Sequence, residues 1–174
     1  MKTKRKYSAA TAVLLAVTVA TPALAHEPEV APFTMGVIQN DAFGAKVHSG
    51  KYEQAIERIT RRGNRSPQGF AEQVNLCVAY AKTRALEKAI NACDAAVQRA
   101  EERTSRLAHS GRSPEASAYR TDLALALSNR GVLMAATGHH DVAEQNFEKA
   151  LELNTSLTKL VAGNLARLDS ENPS

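Results

Sequence analysis

Apolar residues recur at three- and four-residue spacing through most of the chain, which is the period of α-helices. Alternating runs of Val, Ile and Thr, which are typical of strands, are missing from the sequence. Alanine is frequent, Trp is absent and aromatic residues make up 5% of the chain. Small side chains allow helices to approach closely. The pattern therefore predicts an all-α fold built from closely packed helices.

Two stretches of the chain carry the same order of small and large residues. Residues 73–80 followed by 87–97 resemble residues 127–134 followed by 141–151. In each, one helix carries Asn, a small residue two positions later and a large apolar residue three beyond that. A turn follows, and then a second helix has Ala, a larger apolar residue four positions later and Ala three after that. We therefore predict repeated antiparallel helix hairpins.

This pattern resembles the tetratricopeptide repeat, which spaces Leu-Gly-x-x-Tyr and Ala-x-x-x-Phe over 34 residues. Ala55 lies 34 residues before Ala89, which marks a further, divergent unit, and the resemblance covers roughly residues 36–157. In that first unit the opening helix, around residues 35–47, departs from the family because Phe43 stands where a small residue belongs. Cys77 replaces the usual Gly and Cys93 the usual aromatic residue. The matching positions are Leu76, Tyr80, Ala89 and Ala96 in one unit and Gly131, Ala143, Phe147 and Ala150 in the other.

The third unit is longer than the second. Ala89 and Ala143 are 54 residues apart, which is 34 plus 20. Shared between two helices, the excess adds ~10 residues to each, or nearly three turns. We therefore predict a projecting hairpin of helices over 86–109 and 114–137. A last helix over about 156–168, with Leu157, Leu160, Val161, Leu165 and Leu168 on one face, caps the array.

The first 25 residues have the order of a secretory signal: a basic start, an apolar stretch over 9–20, and small residues at Ala23 and Ala25. We predict cleavage before His26, periplasmic localisation, a flexible segment over 26–35, a helical domain over 36–168 and a disordered tail over 169–174. The full chain has 22 basic and 18 acidic residues, and four basic ones precede residue 26, so the mature chain has 18 of each. This neutral balance argues against nucleic acid as a partner. We also expect no stable membrane insertion after signal cleavage.

The two cysteines, Cys77 and Cys93, fall at about the same height on facing helices of the second unit. An exported protein meets an oxidising compartment, so a disulfide between them is favoured. It would close a loop of about 15 residues, worth on the order of 3 kcal/mol. Two buried free thiols are the alternative.

No catalytic constellation or cofactor motif stands out in the sequence, so we expect a protein that is not an enzyme and has no metal or other cofactor. His139 and His140 are adjacent and point apart. His26, as the mature N-terminus, offers an amine and an imidazole that can chelate copper or nickel. A metal- or redox-linked envelope protein that uses His26 or the cysteine pair is therefore the alternative function.

The resemblance implies that the first helix of each unit lines a concave groove that holds a peptide of a partner protein. The Asn side chains of this groove can each donate and accept, so they suit a partner's backbone, or a structural bond within the repeat. We therefore expect a non-enzymatic adaptor or assembly factor, with self-association into a homodimer as another use of the exposed faces. The expected groove residues are Val74, Asn75, Val78, Lys82, Leu125, Ser128, Asn129, Val132 and Ala136.

Overall fold

The computed structural model describes residues 33–40, 43–63, 68–108, 113–153 and 155–171. Over these ranges the chain forms helices and no strand, which confirms the predicted all-α class. The predicted signal peptide, His26 and residues 172–174 lie outside them. The described ranges contain seven helices, which are α1 (Gly44–His48), α2 (Tyr52–Gly63), α3 (Phe70–Lys82), α4 (Leu86–Ala108), α5 (Ser113–Ala136), α6 (His140–Glu152) and α7 (Thr158–Glu171).

The helices stack in chain order as two layers. Each helix from α1 to α7 packs against the next, with α3 against α4 and α5 against α6 as the most extensive pairs. The odd-numbered helices also touch one another in the order α1, α3, α5 and α7. Within the described part of the chain, the even-numbered helices make no such mutual contact. The odd-numbered helices are therefore the layer whose members contact one another along the array.

The same turn closes each of the first three hairpins. Gly50, Arg84 and Gly138 occupy the left-handed backbone region, with φ of 75°, 59° and 79°. In each turn the following residue donates its N–H to a carbonyl five positions back, which is the bond of a Schellman motif. These bonds are Lys51 to Lys46 at 2.8 Å, Ala85 to Tyr80 at 2.9 Å and His139 to Met134 at 2.9 Å.

The long hairpin agrees with its predicted length. Helices α4 and α5 span 86–108 and 113–136, against the predicted 86–109 and 114–137. Arg103 of α4 joins the two helices, with 2.8 Å between its Nη1 and Oδ2 of Asp122 and its guanidinium 4.4 Å from the Tyr119 ring centroid. The last helix begins two residues later than expected and continues to Glu171, so residues 169–171 are helical. Val161 and Leu168 of α7 are buried, as a capping helix requires.

The first unit differs most from the helix expected around residues 35–47. Helix α1 has a single turn and begins at Gly44, and residues 33–38 are extended. A Cβ at Gly44 would collide with the Ile38 carbonyl oxygen, so glycine allows this close approach. The extended backbone is stable here because side chains of other helices bind its peptide groups, which removes the need for helical hydrogen bonds.

Candidate polypeptide-binding groove

Residues 33–38, here called the N-terminal segment, lie along the surface formed by α3, α5 and α7, here called the groove. The segment crosses α7 at Thr34, α5 at Gly36 and α3 at Ile38. It therefore runs opposite to the order of the helices. The domain boundary predicted at residue 36 falls inside this segment, and residues 26–32 of the predicted flexible stretch lie outside the described residues.

Three asparagine side chains hold the backbone of alternate segment residues. Asn164 Oδ1 accepts the N–H of Thr34 and its Nδ2 donates to the Thr34 carbonyl, both at 2.9 Å. Asn129 binds Gly36 in the same way, at 2.7 and 2.8 Å. Asn75 binds Ile38 at 3.2 and 3.1 Å.

Each carboxamide thus satisfies both peptide groups of one residue. Because successive like-facing peptide groups of extended backbone are two residues apart, the three asparagines, here called the asparagine ladder, match an extended chain and no helix.

The side chains of the asparagine ladder are buried. Asn75, Asn129 and Asn164 are 0%, 1% and 3% exposed. A buried carboxamide without partners would be costly, so these side chains require something that supplies both a donor and an acceptor. Asn164 Nδ2 also donates to the buried Ser128 Oγ at 3.3 Å, which fixes its orientation relative to α5.

The side chains of the segment add apolar contacts. The Phe33 ring stacks on the buried Phe147 ring at 6.5 Å between centroids and 16° between planes. The guanidinium of Arg167 lies 5.2 Å from the Phe33 centroid. Met35 and Val37 pack against the cluster of Val47, Ala55, Val78 and Ala79. The segment is therefore bound through its backbone by the asparagines and through its side chains by apolar surfaces.

The predicted groove residues fall into two groups. Seven are buried, and the other two, Lys82 and Ala136, are exposed at the C-terminal ends of α3 and α5. Asn75 and Asn129 both bind extended backbone, and that backbone belongs to this chain. The buried seven are Val74, Asn75, Val78, Leu125, Ser128, Asn129 and Val132.

Sequence reasoning missed Asn164 and the N-terminal segment. A pattern for Asn164 is present, because Asn is followed two residues later by a small residue in α3, α5 and α7. The pairs are Asn75 with Cys77, Asn129 with Gly131, and Asn164 with Ala166. The segment has no comparable pattern, since its conformation depends on groups far away in the chain.

Cys77 of α3 and Cys93 of α4 are joined in a disulfide, with their Cα atoms 4.8 Å apart. Both residues are buried at 1% exposure or less. The bond ties the two helices of the second hairpin together behind the asparagine ladder. A disulfide-bonded pair is compatible with an oxidising compartment outside the cytoplasm.

Metal binding by histidine is the other chemistry that the sequence suggests. Among the described residues, no three His, Cys, Asp or Glu side chains are grouped so that they could hold a metal ion. His139 Nδ1 lies 3.1 Å from Thr137 Oγ1 of the same turn. Within the same residues, the helices are too short or too polar for any of them to cross a membrane.

Comparison of the chain with protein-family models, with curated proteins and with solved structures finds no match.

Proposed function

We propose that this chain is a tetratricopeptide-like, non-enzymatic interaction module of the cell envelope, exported by a cleaved signal, which holds an extended segment of a partner protein in its groove. The observation that carries the proposal is the asparagine ladder. Three buried carboxamides at a two-residue period bind backbone, which every protein offers, and an apolar surface beside them selects side chains.

The present occupant of the groove is held in a way that permits exchange. Six hydrogen bonds at about 1 kcal/mol net each are of the same order as the cost of ordering six residues, at about 1–2 kcal/mol per residue. Attachment then depends on the half-buried side chains of Phe33, Met35, Val37 and Ile38. A partner segment with equal or better apolar contacts can replace it.

Photo-crosslinking in intact cells tests this function. A crosslinking residue at Lys82 or Ala136, both exposed beside the groove, is expected to give an adduct with the same protein. The matched control is Glu148, which is exposed on the outer helix α6. The adduct should disappear when Asn75→Ala and Asn129→Ala are both introduced into the protein that carries the crosslinking residue at Lys82 or Ala136. An equal yield from Glu148, or an adduct that survives the double substitution, contradicts binding in the groove.

The metal- or redox-linked alternative lacks a supporting observation in the described part of the chain. His26 lies outside it, and the two cysteines are buried in one bond.

A further inference from the structure

The groove has a different requirement at each position of the segment that occupies it. The asparagine ladder binds backbone only, so it cannot tell one sequence from another. Any preference for one sequence must therefore come from the space and the chemistry around the side chains. The contacts of the N-terminal segment show both at each of its positions.

The position that crosses α5 accepts glycine. A Cβ built on Gly36 would collide with the Leu125 side chain and lie 4.0 Å from Asn129 Oδ1. The φ of Gly36 is not in the left-handed region, so glycine is required here for space and not for backbone conformation. Leu125 is only 9% exposed, which limits its freedom to move aside. A larger residue at this point would lift the backbone away from Asn129.

The position three residues earlier favours an aromatic ring. Phe33 contacts both the ring of Phe147, which is fully buried, and the guanidinium of Arg167. Ring stacking and a cation over the ring both add attraction beyond the burial of apolar area. An aliphatic residue there would lose both contributions.

The remaining inward positions favour apolar side chains. Met35 and Ile38 pack against the main core, and Met35 and Val37 also contact the smaller cluster around Val47. Thr34 is exposed and held only through its backbone. At the positions of residues 33–38, the groove therefore favours, in order, an aromatic residue, any residue, an apolar residue, glycine and two apolar residues.

We propose that the partner segment is an extended apolar stretch of this kind, with an aromatic residue three positions before a glycine, and that residues 33–38 compete with it from within the same chain. This rests on the proposed function. A tethered occupant has an effective concentration on the order of millimolar. It therefore weakens the apparent affinity for a partner until the partner displaces it.

Binding of a dye-labelled peptide with the sequence of residues 33–38, followed by fluorescence anisotropy, tests the proposal on the exported chain. The variant Gly36→Leu should release the internal segment and bind this peptide at least about tenfold more tightly than the wild type does. A peptide with Leu in place of its glycine should bind at least about tenfold more weakly, and adding Asn129→Ala to the variant should reduce binding by a similar factor.

A second release variant controls for misfolding. Thr34→Pro removes the N–H that Asn164 accepts without adding bulk near Leu125. It should show the same gain in peptide binding, with unchanged helical circular dichroism in both variants.

Equal binding of the glycine and leucine peptides would overturn the sequence preference. Equal peptide binding by the wild type and both release variants would overturn the internal competition. A wild-type protein with the mass of two chains, in which each segment occupies the groove of the other chain, would also overturn it. If both release variants keep their helical circular dichroism and neither binds any peptide, the inference as a whole is overturned. The proposed function fails separately, if crosslinks from Lys82 and Ala136 are not specific to the groove.

Discussion

At the scale of single residues, three asparagines decide what the groove can hold. Each is buried, and each binds the N–H and the C=O of one residue of extended chain. The sequence indicated two of them, Asn75 and Asn129, as able to donate and accept, and left open whether their partner lay within the protein or outside it. The structure gives both side chains an internal partner that has the form of a bound peptide.

Asn129→Ala should lower the free energy of unfolding by about 1–3 kcal/mol, because it leaves the N–H and C=O of Gly36 without their partner. Urea denaturation measures the loss, and hydrogen exchange should show it concentrated in residues 33–38. The control Asn91→Ala, at an exposed position of α4, should stay within about 0.5 kcal/mol of wild type. Equal effects of the two substitutions would contradict the role of Asn129.

Asp122 gives the long hairpin a pH dependence. Burial raises the pKa of Asp122 above 3.8, and the attraction of Arg103 offsets part of this rise. Because folding then favours the protonated carboxyl, Asp122 makes its full contribution to the free energy of unfolding below its pKa in the unfolded chain. This contribution is lost as the pH rises through its pKa in the folded protein. Asp122→Asn cannot ionise, so its stability relative to wild type should increase from pH 3 upward. Urea midpoints of both proteins measure this, and a constant difference contradicts it.

At the scale of helices and turns, most of the architecture was predictable. The positions of the hairpins, the greater length of α4 and α5, and the capping helix follow from apolar spacing and from the 54-residue interval between Ala89 and Ala143. The first unit was not predictable in the same way. Its helix is replaced by extended chain because distant asparagines satisfy that backbone, and helical spacing reports only on neighbours within one helix.

The repeated turn predicts a stabilising substitution. Arg84 occupies the left-handed region where the other two hairpins have glycine, which strains a residue that has a Cβ. Arg84→Gly should therefore raise the free energy of unfolding by about 0.5–1 kcal/mol, as measured by thermal or urea denaturation. Gly138→Ala is the converse control and should lower it by about 1 kcal/mol. A loss of stability in Arg84→Gly would contradict the turn assignment.

The disulfide should stabilise the second hairpin measurably. Replacing Cys77 and Cys93 with Ala together should cost about 2–4 kcal/mol, since a crosslink over this loop restricts the unfolded chain. Adding a reductant during urea denaturation should destabilise the wild type to a similar extent and leave the double variant unchanged. A wild type that is indifferent to the reductant would mean that the thiols are free.

At the scale of the whole molecule, the N-terminal segment connects the two ends of the helix array. A stack of repeats normally has contacts only between neighbours, so its ends unfold independently. Here Thr34 binds Asn164 across a separation of 130 residues. The segment therefore links α7 to the region just before α1.

Asn164→Ala should therefore loosen both ends together. We expect faster amide exchange in α7 and in residues 33–38, with little change in the α3–α4 hairpin, in hydrogen-exchange measurements at increasing urea concentration. Lys159→Ala, at an exposed position of the same helix, is the matched control. Uniform acceleration over the whole chain would show that Asn164 acts on global stability alone.

The long separation between Thr34 and Asn164 also sets an order in time. A ribosome makes residues 33–38 well before it makes α7, so the segment waits for its most distant binding residue, Asn164, until that helix has been made. Contacts of such high sequence separation form late and slowly. Before α7 is made, only Asn75 and Asn129 can bind the segment, through Ile38 and Gly36, and Thr34 still lacks its partner. The segment that precedes α1 is therefore the last to complete its native contacts.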